Sequence, residues 1–352
     1  MDCAEKELKR AIASSLPLVV WGFGGMISFI VKNLRQYGVD IAYIVDNDPK
    51  RWGSAFQGIE VISFETLKRS FADCNVLIGV CTKKFVDEIR AQIEKDGQFK
   101  NVFFFEMFYP FGHFAQDIID ANRRKIDMTR SLLADEKSLL VYDAKIRYLQ
   151  TKEHGSFESL RDPEHDQYFD KAIVDVNGDE GLFIDGGAYH GENTRTLFER
   201  FPQARLRAVC IDPDETNIAA LNAQYKDNDQ VTIRHAALFE RSGVVKFENS
   251  GSRGGGVDSS GSIELNAIGI DDEYGDSVVR FIKLDIEGAE MACLRGAKRT
   301  IETSKPIVAA CIYHSIEDHF DIPLLLKSLR PDYRFYVRQY HYTGIETVLY
   351  AV

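Results

Sequence analysis

The sequence predicts an α/β protein of two Rossmann-like domains, the C-terminal one holding a seven-stranded sheet that closes in an antiparallel hairpin. Three observations predict it. Two separate series of short apolar runs alternate with amphipathic stretches; a glycine-rich turn directly follows the first run of each series; and an acid follows the second run of each. Strands that alternate with helices imply a parallel sheet covered on both faces. A length of 352 residues suits two domains, placed at 1–110 and 166–352 with a helical connector at 111–165.

In the first series, Leu18-Val19-Val20-Trp21 reads as a buried strand ending in Gly22-Phe23-Gly24-Gly25. Ile27, Ile30, Val31 and Leu34 follow at helical spacing. Residues 41–45 form a second strand closed by Asp46-Asn47-Asp48-Pro49, 76–80 a further strand, 85–93 a helix and 102–105 a closing strand. From 114 to 150 the pattern is helical, with Leu132, Leu139, Tyr142, Ile146 and Leu149 in one apolar stripe. Segment 151–180 is polar and broken at Asp162-Pro163 and Asn177-Gly178, which suggests a connection and a lid or entry element. The second series places strands at 182–184, 206–211, 231–235, 280–284, 307–312, 334–337 and 347–350, the last two as the antiparallel pair. Residues 250–262, rich in glycine and serine, read as a mobile surface loop.

Composition narrows the function. With 45% apolar and 28% charged residues the chain is an ordinary globular protein, and a net charge of −11 argues against non-specific nucleic-acid binding. No apolar run is long enough to span a bilayer, and the N-terminus lacks a secretion-signal pattern. Cys3, Cys74, Cys81, Cys210, Cys293 and Cys311 are scattered without a C-x-x-C pair, which indicates neither zinc nor a redox dithiol. A cytoplasmic location is expected. Pairing with a second copy, a homodimer, stays open.

The motifs that carry chemistry lie in the second series. Asp185-Gly186-Gly187-Ala188-Tyr189-His190-Gly191 follows a buried strand, and Glu192-Asn193-Thr194 opens a helix. Glycine lets backbone approach a ligand closely, and the free N–H groups of a helix start point into the cleft. Asp212 ends the second strand, where an acid accepts hydrogen bonds from ribose hydroxyls; Pro213 suits the first helical position, so Asp212 could equally cap that helix. Lys283-Leu284-Asp285-Ile286-Glu287-Gly288-Ala289-Glu290 sets several acids at the carboxyl end of the fourth strand, the ligand side of an open parallel sheet.

The runs Phe183-Ile184-Asp185-Gly186-Gly187-Ala188-x-x-Gly191, Ile211-Asp212-Pro213-Asp214, Ala236-Ala237-Leu238 and Lys283 to Glu290 resemble the FkbM-type methyltransferases. So do Ile312-Tyr313-His314-Ser315-x-Glu317-Asp318 and Glu346-Thr347-Val348-Leu349-Tyr350-Ala351. The resemblance implies a class I methyltransferase fold, S-adenosylmethionine as cofactor with S-adenosylhomocysteine as product, and a hydroxyl of a sugar, glycoconjugate or similar small molecule as acceptor, as in polysaccharide biosynthesis. It implies that Asp185 faces the methionine amino group and Asp212 the ribose, that Gly186, Gly187, Ala188, Gly191, Thr194 and Pro213 line the cofactor, and that Ala236 and Ala237 lie near the adenine.

A hydroxyl acceptor gains from a general base. The candidates are Asp285, His314, whose ordinary pKa suits the task, and Glu287. Each has a plainer reading: Asp285 as a helix cap, His314 as a partner of a loop, and Glu287 and Glu290 as salt-bridge partners of Lys283 or Arg295. Asp285, Glu287 and Asp318 are oxygen donors, but no spacing in the sequence unites them, and no metal is expected.

The first series has the outline of a dinucleotide unit, with Gly22, Gly24, Gly25 and Asp46 as its nucleotide site, although Ile27 stands where the third glycine of G-x-G-x-x-G belongs. It reads either as a nucleotide or nucleotide-sugar binder or as a fold kept for docking or dimerisation, and it resembles Rossmann-like domains found beside bacterial sugar-modifying enzymes. Two rival functions remain. One is an NAD-dependent sugar-nucleotide oxidoreductase or epimerase run by residues 1–110, which lack a Tyr-x-x-x-Lys pair; the other is a non-catalytic nucleotide-binding scaffold, against which Asp185, Asp212 and Asp285 count.

Overall fold

The structure is a computed structural model that describes residues 15–24, 27–36, 38–80, 83–99, 101–104, 115–151, 159–248, 256–257, 263–341 and 344–352. They fall into two compact units, one centred within Met1–Gln116 and the other within Asp117–Ile146, Gly155–Asn249 and Gly254–Val352.

The first unit is a six-stranded sheet. Its strands are β1 (Leu18–Trp21), β2 (Ile41–Val45), β3 (Ala55–Phe56), β4 (Ile59–Ile62), β5 (Asn75–Ile78) and β6 (Asn101–Phe104), in the order β3-β4-β2-β1-β5-β6. All neighbouring pairs are parallel except the β3–β4 hairpin. Successive strand side chains face opposite ways, so β1 feeds two cores. Leu18 and Val20 pack with Ile30, Val31 and Leu34 of helix α1 (Ile27–Gln36). Val19 and Trp21 pack with Phe64 and Leu67 of α2 (Phe64–Ser70) and with Val86, Ile89 and Ile93 of α3 (Lys83–Asp96). The expected first strands and α1 are in place. Strand β4 was not anticipated, because its four residues show no clear period.

Helices α4 (Ala115–Ala121), α5 (Arg123–Leu132) and α6 (Glu136–Thr151) follow, and the second unit takes residues 117–146 of them. The expected single apolar stripe from Leu132 to Leu149 is divided: the chain leaves the helix after Leu132, and Leu133 bridges Phe335. The segment read as a connector contributes to this unit, since Thr129 of α5 donates to Phe320 O at 3.4 Å and Lys125 pairs with Asp321 at 2.8 Å.

The seven strands of the main sheet are interleaved with helices. In chain order they run β7 (Glu180–Gly186), α7 (Glu192–Arg200), β8 (Arg205–Asp212), α8 (Glu215–Gln224) and β9 (Val231–His235). After the short strands β10 (Ala237–Leu238), β11 (Gly243–Glu248), β12 (Gly256–Val257) and β13 (Ile263–Ile268) and helix α9 (Ile270–Tyr274) comes β14 (Val279–Leu284). Then follow α10 (Glu290–Arg295), α11 (Lys298–Ser304), β15 (Ile307–Cys311), α12 (Asp318–Leu329), β16 (Phe335–Gln339) and β17 (Thr347–Ala351). The order across the sheet is β16-β17-β15-β14-β7-β8-β9. The strands from β15 to β9 are parallel, and β17 runs antiparallel to both β15 and β16. The predicted seven strands and closing antiparallel pair are therefore present. The chain reverses its direction of growth between β7 and β14, and such a switch point opens a crevice at the strands' carboxyl ends.

A second sheet, in the order β10-β13-β11-β12, was not anticipated. Of residues 250–262, expected as a loop, Gly256–Val257 pairs with β11, and the rest lies outside the described residues.

The described part of segment 151–180 is a packed strap. Phe169 is fully buried against Phe183, Phe201 and Phe281, with ring centroids 5.7–6.4 Å apart. Burying one such ring contributes roughly 2 kcal/mol. Arg200 grips the strap at Asp166 (2.7 Å) and Phe169 O (2.9 Å), and Arg338 grips it at Asp170 (3.2 Å).

Candidate active site

The glycine turn after β7 is shaped by close contact. Gly187 has φ +69°, and a Cβ there would lie 1.9 Å from Asp285 O, so only glycine lets the turn sit against the end of β14. Two further bonds seat it: Gly187 N–H donates to Ile211 O at 2.9 Å, and Asp285 N–H donates to Gly186 O at 3.2 Å. Gly191, in the left-handed region, begins α7, and Tyr225 donates to its carbonyl at 2.6 Å.

Under the turn lies a buried ion pair. Lys283 Nζ donates to Gly186 O (2.9 Å) and Gly187 O (2.8 Å) and stands 3.3 Å from Asp185 Oδ1. Thr194 donates to Asp185 Oδ2 at 2.8 Å, and Ala188 is buried alongside. Burial opposes the lysine's charge, but Asp185 and then Asp285 outweigh it and raise the pKa of Lys283. The plain reading that paired Lys283 with Glu287 or Glu290 is thus corrected: the ammonium points down beneath the turn, to Asp185.

Asp212, at the end of β8, is buried and accepts from Tyr189 N–H (2.9 Å), Asp214 N–H (2.9 Å) and Asn217 Nδ2 (3.0 Å). A carboxylate offers about four lone-pair positions, so one on Oδ2 is left for a ligand hydroxyl. Burial, its largest influence, raises the pKa of Asp212 despite these bonds. Helix α8 is capped by Asp214, which accepts from Thr216 N–H and Asn217 N–H, and not by Asp212 as the sequence allowed. Pro213 lies between them, and its carbonyl contacts His235 Nε2 at 3.0 Å. Ala236 and Ala237, both buried, follow β9, with Ala236 N–H on Asp212 O at 3.2 Å.

Beside the glycine turn, at the ends of β14 and β15, the acids gather around one imidazole. Asp285 accepts from Tyr168 Oη at 2.9 Å and Tyr313 Oη at 3.3 Å, and His314 Nε2 stands 3.6 Å from it. Glu287 is 3.5 Å from the same nitrogen, and Glu290 is 2.9 Å from His314 Nδ1. Glu287 adopts φ +56°, a conformation costly for a residue with a Cβ. It is held there by Glu290, whose two oxygens accept from Ile286 N–H (2.8 Å) and Gly288 N–H (3.0 Å) on either side. Asp285 is therefore no helix cap; Glu290 fastens the turn, and Asp285 faces the cleft with 26% of its side chain exposed, Glu287 with 24%.

These neighbours divide the protonation states. Burial works against the charge of Asp285, yet Lys283, His314 and the Tyr168 hydroxyl hold its pKa below the ordinary carboxylate range. Burial pushes Glu287 up to about 8, with Asp285 and Glu290 adding repulsion against the pull of His314. For His314, burial disfavours the charged ring, but Glu290, Glu287 and Asp285 outweigh it and raise the pKa to about 10. The expectation that His314 titrates near its ordinary range is corrected: at neutral pH it is an imidazolium and cannot accept a proton. Burial likewise lifts Asp318 to about 8 and Glu346 to about 7. Ligand atoms of Asp285, Glu290 and His314 lie within 4.8 Å of one another, a grouping the sequence did not reveal.

Tyr168, Tyr313, Glu290 and Glu346 complete the site beyond the sequence candidates. Tyr168 left only one signal, an aromatic pair with Phe169 inside a polar segment. In the first unit, Gly22 (φ +124°) packs its backbone against Val80, while nothing lies within 4 Å of the side-chain position of Gly24; Gly25 lies outside the described residues. Asp46 accepts from Phe23 N–H (2.7 Å), Asp48 N–H (2.8 Å) and Arg51 Nη1 (3.0 Å). No helix among the described residues is long and apolar enough to cross a membrane.

Comparison with known proteins follows the same division. Residues 172–342 match the methyltransferase FkbM domain, and residues 15–101 match the family described as C2185-like, N-terminal. Among solved structures, methyltransferase FkbM from Methylobacillus flagellatus KT aligns over 99% of this chain and 92% of its own, with a TM-score of 0.75 and 22% identity. Two others align less well. Fibrillarin of Aeropyrum pernix, solved with natively bound S-adenosyl-L-methionine, covers 52% of this chain and 71% of its own at a TM-score of 0.33 and 12% identity. Precorrin-6y C5,15-methyltransferase of Geobacter metallireducens GS-15 covers 49% and 80% at a TM-score of 0.31 and 13% identity. No curated protein matches the chain.

Proposed function

Since the C-terminal half of this chain is a methyltransferase FkbM domain, we propose that it transfers the methyl group of S-adenosylmethionine to a hydroxyl of a sugar, glycoconjugate or similar small molecule. One observation carries the reading furthest: the ionised, cleft-facing Asp285 adjoins the glycine turn so closely that a Cβ on Gly187 would strike its carbonyl. A base and a cofactor cradle then share one wall.

The residues present fit the cofactor. Gly187 lets the turn close against the end of β14, and Asp212 keeps an acceptor position for a ribose hydroxyl. Gly186, Ala188, Gly191 and Thr194 would line the methionine side of the turn, with Asp185 beneath it, and Pro213, Ala236 and Ala237 the nucleoside side. When bound, S-adenosylmethionine supplies an activated methyl group on a sulfonium, so correct placement provides much of the rate. Asp285 accepts the proton of the acceptor hydroxyl. Glu287, with a pKa near 8, is mostly protonated at neutral pH and donates a hydrogen bond to the acceptor. His314 stays positively charged, its Nε2 3.6 Å from Asp285 and 3.5 Å from Glu287.

The test is calorimetric titration with S-adenosylmethionine, S-adenosylhomocysteine and NAD. Release of S-adenosylhomocysteine is then measured over a panel of methyl glycosides. Binding of the first two, with turnover of at least one glycoside that Asp285→Asn abolishes, supports the reading. Binding of NAD alone would overturn it and move the activity to the first unit.

A further inference from the structure

The strap that crosses the site reaches Asp285 with a side chain whose placement the fold over-determines. Tyr168 is buried, sits at φ +66°, and donates its hydroxyl to Asp285 Oδ2 at 2.9 Å, with Cys311 Sγ 3.3 Å away. A left-handed tyrosine is costly unless its surroundings impose it. Here they do. Tyr168 N–H donates to Tyr350 Oη at 2.9 Å, and Tyr350 in turn contacts Tyr340 Oη at 2.6 Å. The neighbouring Gln167 side chain donates to Glu346, and Phe169 locks the next position into the aromatic core. The ring also stands 5.2 Å from Lys283 Nζ. A fold that merely needed a filler here would not require a hydroxyl, nor this backbone conformation.

We propose that Tyr168 is a positioning residue: together with Tyr313 it fixes the orientation of the Asp285 carboxylate and keeps it in its anionic form. The inference rests on the reading of Asp285 as the base. Tyr168 donates to one oxygen of that carboxylate and Tyr313 to the other. Neither phenol competes for the proton, because burial pushes both tyrosines well above their ordinary pKa. The other groups facing Asp285 are Lys283 of β14, His314, Glu287, Glu346 and Cys311. Of these Lys283, His314 and the Cys311 thiol share the phenols' sense, and the two glutamates oppose it.

Tyr168→Phe tests this, since it keeps the ring, the backbone N–H and the packing while removing one donor. The protein is labelled with [4-13C]aspartate, the Asp285 signal is assigned with Asp285→Asn, and its titration is followed in wild type, Tyr168→Phe and Tyr313→Phe. Losing a hydrogen bond to a charged carboxylate raises its pKa by about one unit, and the shorter Tyr168 bond predicts the larger shift. The acid limb of turnover with a methyl glycoside should move by the same amount, with little change in KM. An Asp285 pKa unmoved in Tyr168→Phe overturns the inference. A carboxyl that shifts while the turnover limb stays fixed supports the Tyr168 contact and refutes instead the assignment of Asp285 as base.

Discussion

Replacing Lys283 by methionine isolates what the buried ion pair does. The Lys283 and Asp185 side chains are 1% and 0% exposed; the ammonium donates to Gly186 O and Gly187 O and stands 3.3 Å from Asp185 Oδ1. Methionine fills similar volume but leaves Asp185 with only the Thr194 hydroxyl as a donor. Stranding a buried charge in this way costs about 3–5 kcal/mol, which for a unit of this size lowers Tm by on the order of 10 °C. Asp185→Asn strands the ammonium and costs a comparable amount. The double variant removes both charges together, so its loss should fall short of the sum of the single losses by about 2 kcal/mol. Calorimetry is the suitable assay, because both tryptophans, Trp21 and Trp52, lie in the first unit and report on it alone. Additivity of the two substitutions within about 0.5 kcal/mol would refute the claim that Lys283 neutralises Asp185.

Three further outcomes follow from the site. For His314, the folded pKa of about 10 lies above the ordinary 6.5, so the stability its protonation adds is fully present below pH 6.5 and is lost as the pH climbs toward 10. A nitrogen-15 spectrum should show a doubly protonated ring from pH 6 to pH 9, and a neutral ring at pH 8 would contradict the charge assigned to it. Asp212→Asn should weaken S-adenosylmethionine binding by about tenfold or more, as loss of charge-assisted hydrogen bonds implies, with wild-type calorimetric affinity as the refuting result. Asp285→Asn should lower turnover about 10²–10⁴-fold with cofactor affinity near wild type; retention of more than half the wild-type rate would remove it from the chemistry.

The main sheet was legible because several of its buried strands carry short apolar runs, as at Leu182-Phe183-Ile184, Ala208-Val209-Cys210-Ile211 and Ile307 to Cys311, each followed by a helix. The second sheet was not legible. Its strands β11 and β13 carry mixed residues such as Lys246 and Glu264, with Val244 64% exposed, so no clear period marks them. The break between α5 and α6 was hidden for a related reason: Leu133 continues the apolar pattern while its backbone leaves the helix to bridge Phe335.

By itself the sequence determined the two α/β series, the glycine turn, and the strand-end acids Asp185, Asp212 and Asp285, because a strand's carboxyl end and its turn chemistry are local facts. Only the tertiary structure decided how those groups are charged and which of them face the cleft. Lys283 lies on β14 and Asp285 just past its end, yet the first turns beneath the glycine turn to Asp185 and the second meets Tyr168, more than a hundred residues away in sequence. Only there is His314 surrounded by Glu290, Glu287 and Asp285, which changes an expected base into a fixed cation. A pKa is set by every charge and every loss of solvent within a few ångströms, and which residues lie that close is settled by chain crossings that no local pattern encodes.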